Sequence, residues 1–199
     1  MSSKVDAVMI CEALTVFICE VREQAAAIRA YTNVGMVSDC GSVFLNRAHD
    51  SIWRELLSEL ARIFDRSVTY GDENCTLLRL REMCLEEQYL PLFPGGEKDH
   101  LIQDLDDTIA RYNNSPIKKS RNKQLAHHDM KKMFDGKCIE ISLDELEKLI
   151  DDTTAVFSKI YTRIMLDLFD VTFPSYDTLV GLFEKDLLSI TKCYKNEDA

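Results

Sequence analysis

The chain has 199 residues, of which 46% are hydrophobic and 29% are charged, and its formal net charge is −10. This length can form one well-packed core, and this composition is typical of an ordinary globular protein rather than a disordered one. The acidic total argues at first sight against a nucleic-acid partner. No apolar run reaches the roughly 18–20 residues that cross a bilayer, and the N-terminal residues lack the features of an export signal. We therefore predict a cytoplasmic protein without membrane contact.

Apolar residues recur in steps of three and four along most of the chain, a spacing that predicts helices. Ser42 and Thr76 are predicted N-caps, Pro116 suits the first turn of a helix, and Ser142 with Glu145 forms a capping box. The predicted helices, in chain order, span about residues 4–32, 42–66, 76–89, 97–112, 116–134, 142–169 and 175–194.

Little of the chain is typical of strands. The segment Val68–Asn74 is predicted as a loop, and Cys138–Ile141 is the only short run with the composition of a strand. The sequence therefore predicts an all-α fold, an antiparallel helical bundle with additional flanking helices. We expect a single domain over 1–199, with an N-terminal long helix at about 4–32, a core bundle over 42–170 and a C-terminal helix over 175–195.

The cysteines have the pattern of a reducing compartment. Their number is odd and no two form a C-x-x-C pair, so we predict reduced, mostly buried thiols and no structural zinc site. They are Cys11, Cys19, Cys40, Cys75, Cys84, Cys138 and Cys193.

A basic segment interrupts the acidic chain. Between Pro116 and Met133 there are six basic residues and one acid, Asp129, a local balance of +5 that leaves −15 on the rest. A basic run on an acidic body favours a ligand that carries phosphate, although a solvated helix face is the simpler interpretation. The basic residues are Lys118, Lys119, Arg121, Lys123, Lys131 and Lys132.

Arg121 and the pair His127–His128 are the candidate catalytic residues. Arginine offers a permanent charge and a planar fork that matches phosphate oxygens. Histidine titrates near neutrality, so it can take a proton from a ribose 2′-hydroxyl or give one to a leaving 5′-oxygen. Asn122 can hold a substrate oxygen or orient a histidine. Such a set suits RNA transesterification without a metal or other cofactor.

The segment from Arg121 to Asp129 resembles the signature of the HEPN superfamily, in which an arginine and a polar residue precede a histidine by four to six intervening residues. The fuller string resembles the abortive-infection, AbiU-type branch, and the upstream run from Ile52 to Ser67 is similar to that branch's second long helix. The resemblance covers roughly residues 42–170.

The resemblance implies a symmetric homodimer with a composite ribonuclease site, in which each subunit supplies half. It implies an endoribonuclease that acts on RNA, as a toxin or phage-defence effector, with a protein antitoxin as a further candidate partner. The site residues it implies are Arg121 and His127 as catalytic groups, Asn122, His128, Lys123 and Asp129 as supporting groups, and Lys118 and Lys119 as substrate-binding groups.

Two questions stay open at this stage. Straight-helix geometry puts His128 about 20° and His127 about 120° around the helix from Arg121, whereas the family spacing favours His127, which we choose. Arg121 could instead pair with a neighbouring acid, and His127 could be a core histidine. The alternative function is a non-catalytic helical module that binds RNA, a nucleotide or a protein partner.

Overall fold

The computed structural model describes residues 2–34, 43–69, 72–93, 96–124, 141–165 and 174–197, and side chains within 7–34, 46–69, 74–93, 96–121, 141–165 and 174–188. Helices dominate these ranges, so the predicted all-α class is confirmed. The helices are α1 Ser2–Asn33, α2 Val43–Phe64, α3 Leu77–Leu85, α4 Glu97–Asn114, α5 Pro116–Gln124, α6 Leu143–Ile164 and α7 Tyr176–Glu197.

Helix α1 is the centre of the packing. Its residues at three- and four-residue steps, such as Leu14, Ile18 and Val21, are buried, as expected for one apolar face of a helix. Helices α2, α6 and α7 all contact α1, and α4 lies between α3 and α6. Each fully buried Leu or Ile contributes about 2 kcal/mol of transfer free energy. Because α1 has several such residues and contacts α2, α6 and α7, it organises most of the core.

A second, smaller apolar cluster joins α7 to α1. Ala26 and Ala30 of α1 face Leu179, Val180 and Leu187 of α7. Alanines at these positions leave room for the two helices to approach closely. Ile52 of α2 and Tyr176 at the start of α7 are packed against both clusters.

A charged and hydrogen-bonded contact holds α1, α6 and α7 together. Glu147 of α6 accepts hydrogen bonds from Arg29 Nε at 2.7 Å, from a terminal nitrogen of Arg29 at 2.6 Å and from the Tyr176 hydroxyl at 2.7 Å. Arg29 also pairs with the exposed Asp144. Burial and the bond to Glu147 raise the pKa of Tyr176, so this hydroxyl stays protonated and keeps donating.

The predicted loop at Val68–Asn74 is wrong in part. Val68–Thr69 (β1) pairs antiparallel with Asp72–Glu73 (β2), with Val68 opposite Glu73. Asn74 closes this hairpin, since its side-chain amide donates to the Arg66 carbonyl at 2.8 Å and to Thr69 Oγ1 at 2.7 Å. The short strands escaped prediction because two residues give no periodicity.

Several predicted helix boundaries are confirmed. Thr76 accepts a hydrogen bond from Arg79 N at 3.1 Å, and Ser142 accepts one from Glu145 N at 3.4 Å. The predicted cap Ser42 lies outside the described residues, as do Cys138, Ile139 and Glu140 of the strand-like run.

Two predicted helix ends are wrong. The helix expected to reach Tyr89 ends at Leu85, and a 3-10 helix follows over Glu87–Leu92. The helix expected to reach Phe169 ends at Ile164, where Met165 N–H still bonds the Tyr161 carbonyl. Tyr89 and Met165, which lie past these two ends, are both buried, and packing in the core can outweigh local helix preference.

Cys11 of α1 and Cys84 of α3 are buried, free thiols in the main core. Burial raises the pKa of both thiols to about 12, and the proximity of Cys84 adds to the effect on Cys11. Both behave as small apolar side chains in this environment.

None of the described helices combines the length and the apolar composition that a membrane span would need.

Candidate functional site

The site begins at the junction between α4 and α5, which a single residue joins. The Ser115 N–H bonds the Tyr112 carbonyl and so ends α4. The Ser115 hydroxyl donates to the same carbonyl at 2.7 Å and accepts from Lys118 N at 3.3 Å, so it also begins α5. Pro116 occupies the first position of α5, as predicted, where its missing N–H has no helical partner to lose. The direction of α5 is therefore set by the end of α4.

Helix α5 turns one face into the protein. Ile117 is 2% and Ser120 is 1% exposed, three residues apart, whereas Lys119 is exposed and Arg121 is half-buried. Helix α5 contacts both α2 and α4 along this side. Arg121 is thereby held at the edge of the packed interface.

A stacked aromatic pair lies beneath α5. The rings of Phe64, at the end of α2, and Tyr112, near the end of α4, are 4.3 Å apart between centroids and 10° from parallel. Both residues are buried. The stack joins the ends of α2 and α4, the two helices that α5 contacts. It therefore helps to fix the position of α5, which contains Arg121.

The Tyr112 hydroxyl is influenced by the charges of Arg121 in α5 and of Asp65, just past the end of α2. Burial raises the pKa of Tyr112 to about 12, the positive charge of Arg121 lowers this pKa, and the carboxylate of Asp65 raises it. Arg121 and Asp65 therefore both lie close to the phenol. Tyr112 stays neutral at physiological pH and can serve as a hydrogen-bonding group beside the guanidinium.

The two lysines predicted to bind substrate differ in their surroundings. Lys118 is half-buried, and its ammonium donates to Asn113 Oδ1 at 2.5 Å. Lys119 is exposed on the outer side of α5. Lys119 is thus the more accessible cation of the two.

The remaining predicted site residues are placed only partly. Asn122 and Lys123 lie in the last turn of α5, and their side chains are outside the described part. His127, His128 and Asp129 lie outside the described residues, so the choice between the two histidines stays a prediction.

Sequence reasoning missed Tyr112 and Ser120 as neighbours of Arg121, and it placed Phe64 only as an apolar residue of α2. Helical spacing could have put Ser120 and Ile117 on one face of α5. The Phe64–Tyr112 stack depends on two helices that meet across 48 positions of sequence, and no local pattern reveals such a contact.

Among the described residues, no three His, Cys, Asp or Glu side chains are grouped so that they could hold a metal ion.

The family comparison bears on the whole arrangement. A model of AbiU2, a family of HEPN domains, matches residues 11–182. The chain belongs to the AbiU2 family of HEPN domains. The AbiU2 match contains all of α2 to α6 and reaches into α1 and α7, so the resemblance predicted over 42–170 is confirmed and longer than expected. Neither curated proteins nor solved structures gave a match.

Ser120→Ala is expected to stabilise the protein by about 1 kcal/mol. The Ser120 hydroxyl is buried and has no hydrogen-bond partner in the described part of the chain, and an unsatisfied buried polar group is unfavourable. Alanine also has the higher helix propensity. Thermal unfolding would show a melting temperature about 2–4 °C higher.

Ser158→Ala is the matched control, because the Ser158 hydroxyl donates to the Thr154 carbonyl at 2.7 Å on α6. This variant should be neutral or slightly destabilised. A larger loss for Ser120→Ala than for Ser158→Ala would mean that the Ser120 hydroxyl has a partner that stabilises the fold.

Proposed function

We propose that the protein is a metal-independent endoribonuclease of the HEPN type. RNA is cleaved by attack of the ribose 2′-hydroxyl on the adjacent phosphorus, with Arg121 and His127 as the catalytic residues. The biological role proposed with this activity is that of a toxin or phage-defence effector, held in check by a protein antitoxin.

The position of Arg121 is the observation that carries the proposal. The arginine lies on a helix whose charged residues are all basic, and that helix is anchored through Ile117 and Ser120. A cation held at the edge of a packed interface can meet a phosphate without first losing much side-chain freedom. Membership of the AbiU2 family of HEPN domains supports the proposed catalytic role of Arg121.

The reaction proposed at this site is a transesterification. The bond from the 2′-oxygen to phosphorus forms while the bond from phosphorus to the 5′-oxygen breaks. A histidine accepts the 2′-hydroxyl proton, and a second acid returns a proton to the 5′-oxygen. The guanidinium of Arg121 stabilises the charge that develops on the non-bridging oxygens. The products are a 2′,3′-cyclic phosphate and a 5′-hydroxyl.

Two subunits would complete the site. One histidine cannot easily serve as base and acid on opposite sides of the same phosphorus. A two-fold axis brings a second copy of the Arg121–His127 segment without new sequence. We therefore propose a homodimer with a composite site.

The test is RNA cleavage by the purified protein in EDTA. Single-stranded RNA should be cut, and the new ends should be 2′,3′-cyclic phosphates by mass spectrometry. Light scattering on the same sample should give the mass of a dimer. Cleavage only after addition of a metal, or linear 3′-hydroxyl ends, would contradict the proposed mechanism.

The second candidate is a non-catalytic module that binds RNA or a basic protein. The charge of −15 outside the basic segment favours it, because an acidic surface repels long RNA and attracts basic partners. Binding of RNA without new cyclic ends would support this candidate over the nuclease.

A further inference from the structure

Three arginines on or beside α2 lack the carboxylate partners that most arginines here have. Arg47, Arg54 and Arg66 are exposed, and their side chains form no ion pair within the described residues. The arginines that do pair with acids are Arg22, Arg29, Arg62, Arg79, Arg81, Arg111 and Arg163. In a protein of net charge −10, unpaired permanent cations on one helix are available to an external anion.

Two of the unpaired arginines lie on one side of α2. At about 100° per residue, Arg47 and Arg54 lie within about 20° of each other, and Asp65, just past the end of α2, extrapolates to the same side. Further along this side, Ala61 lies about 20° and Leu57 about 60° around the helix from Arg54, and both are buried. This side is therefore exposed at Arg47 and Arg54 and becomes buried towards the end of α2. Arg66 follows Asp65 directly. The row from Arg47 to the end of α2 is about 26 Å long.

This row leads to the candidate site. The end of α2 contacts α5, and the Phe64–Tyr112 stack joins it to the start of α5. The charges of Asp65 and Arg121 both act on the Tyr112 phenol. A strand bound at Arg121 would therefore reach the end of the arginine row.

Acids on α2, and the exposed Asp65 just past its end, dilute this row without pairing with its arginines. Glu59 is buried and pairs with Arg62 at 2.8 Å. Asp50 lies one turn before Arg54, but its carboxylate is 3.7 Å from His49 Nδ1 and forms no ion pair with Arg54 within the described residues. Glu55 lies about 100° around the helix from Arg54. Arg47 and Arg54 thus keep their charge exposed.

We infer that Arg47, Arg54 and Arg66 form a second RNA-binding surface, which contacts the phosphates of a single strand that extends away from Arg121 along α2. The inference rests on the proposed RNA substrate and adds where the rest of the strand lies. Binding here is through phosphates, so it carries no base preference.

The surface predicts a dependence on charge and on RNA length. For the double variant Arg47→Gln/Arg54→Gln, we expect the Kd for an RNA of about twelve nucleotides to rise on the order of tenfold, since each exposed charge contact contributes a few-fold. The slope of log K against log salt should fall in size by about 1.4, because each phosphate contact to a single strand contributes about 0.7. A dinucleotide, with its single phosphate, cannot reach from Arg121 to Arg54, which lies about 15 Å before the end of α2, so its Kd should not change.

Fluorescence anisotropy with 2′-O-methyl RNA measures this binding on the full chain, because the blocked 2′-oxygen prevents cleavage. Asp50→Asn removes an acid one turn from Arg54 and should tighten binding about two-fold. Lys185→Gln removes an exposed cation from α7 and should have no effect beyond that of net charge. Circular dichroism would verify that each variant is folded.

The outcomes separate this surface from the nuclease proposal. Unchanged Kd and salt slope in the double variant, with RNA still cleaved, would overturn the surface alone. Weakened binding of the double variant, in a protein that never yields cyclic phosphate ends, would support the surface and overturn the nuclease. A protein that binds no RNA would overturn both, and the arginines would then face a different anion such as an acidic protein segment.

Discussion

Arg121→Ala is expected to lower kcat/KM for RNA cleavage by about 10³-fold or more. Arginines that stabilise a transferring phosphoryl group contribute about 10³–10⁵ to the rate, and loss of a single preorganised donor typically lowers kcat by about 10²–10³. In a composite site the change removes both copies at once. Cleavage of a fluorogenic RNA under single-turnover conditions measures the effect.

Two variants show whether charge or geometry matters. Arg121→Lys keeps the charge but not the planar fork, so it should recover only about tenfold of the lost rate. Lys119→Gln removes an exposed cation from the same helix and should raise KM a few-fold with little change in kcat. If Arg121→Ala cleaves as fast as Lys119→Gln, Arg121 is not catalytic.

The histidines extend the same experiment. His127→Ala should inactivate the enzyme and His128→Ala should only weaken it, in line with the family spacing that led to His127. The reverse result would favour the simple helix geometry, in which His128 is the neighbour of Arg121. A fully active monomer by light scattering would contradict the composite site.

Glu147→Ala is expected to destabilise the fold by about 2–3 kcal/mol. Its carboxylate is 17% exposed, and it accepts two hydrogen bonds from Arg29 and one from Tyr176. Loss of this carboxylate leaves the Tyr176 hydroxyl without its acceptor and Arg29 with only the exposed Asp144, and the loss is below the 3–5 kcal/mol of a fully buried pair. For a chain of this size the melting temperature should fall by about 5–10 °C.

Asp144→Ala is the control for Glu147→Ala. Asp144 pairs with the same arginine but is 85% exposed, and exposed pairs contribute about 0–1 kcal/mol. Its variant should melt within about 4 °C of the wild type. Equal shifts for the two variants would show that Glu147 does not join α1, α6 and α7 as its contacts indicate.

The sequence was sufficient for much of the fold because helix signals are local. Steps of three and four residues located α1 to α7, and Thr76, Pro116 and Ser142 marked three of the helix starts within one residue. The ends were harder to predict. No glycine or proline follows Ile164 until Pro174, so the sequence gives no local signal for the helix end at Ile164.

In the candidate site, too, local features could be predicted from the sequence and contacts between helices could not. Arg121, Lys118 and Lys119 could be predicted because a basic run is visible in the sequence. Tyr112 and Asp65 could not, because their approach to Arg121 depends on how α2, α4 and α5 meet. The exposed arginines of α2 were equally hidden, since a missing ion pair is a property of three-dimensional surroundings.

The reaction of the buried Cys11 and Cys84 thiols with an alkylating reagent reports on the opening of the core. With a pKa of about 12, only about one thiol in 10⁴ is ionised at pH 8, and the thiolate is the species that alkylating reagents attack. These two sulfurs therefore react after α1 has separated from α3, and hardly at all in the closed bundle. When the reagent is concentrated enough to react at every opening, their labelling rate equals the rate at which the bundle opens.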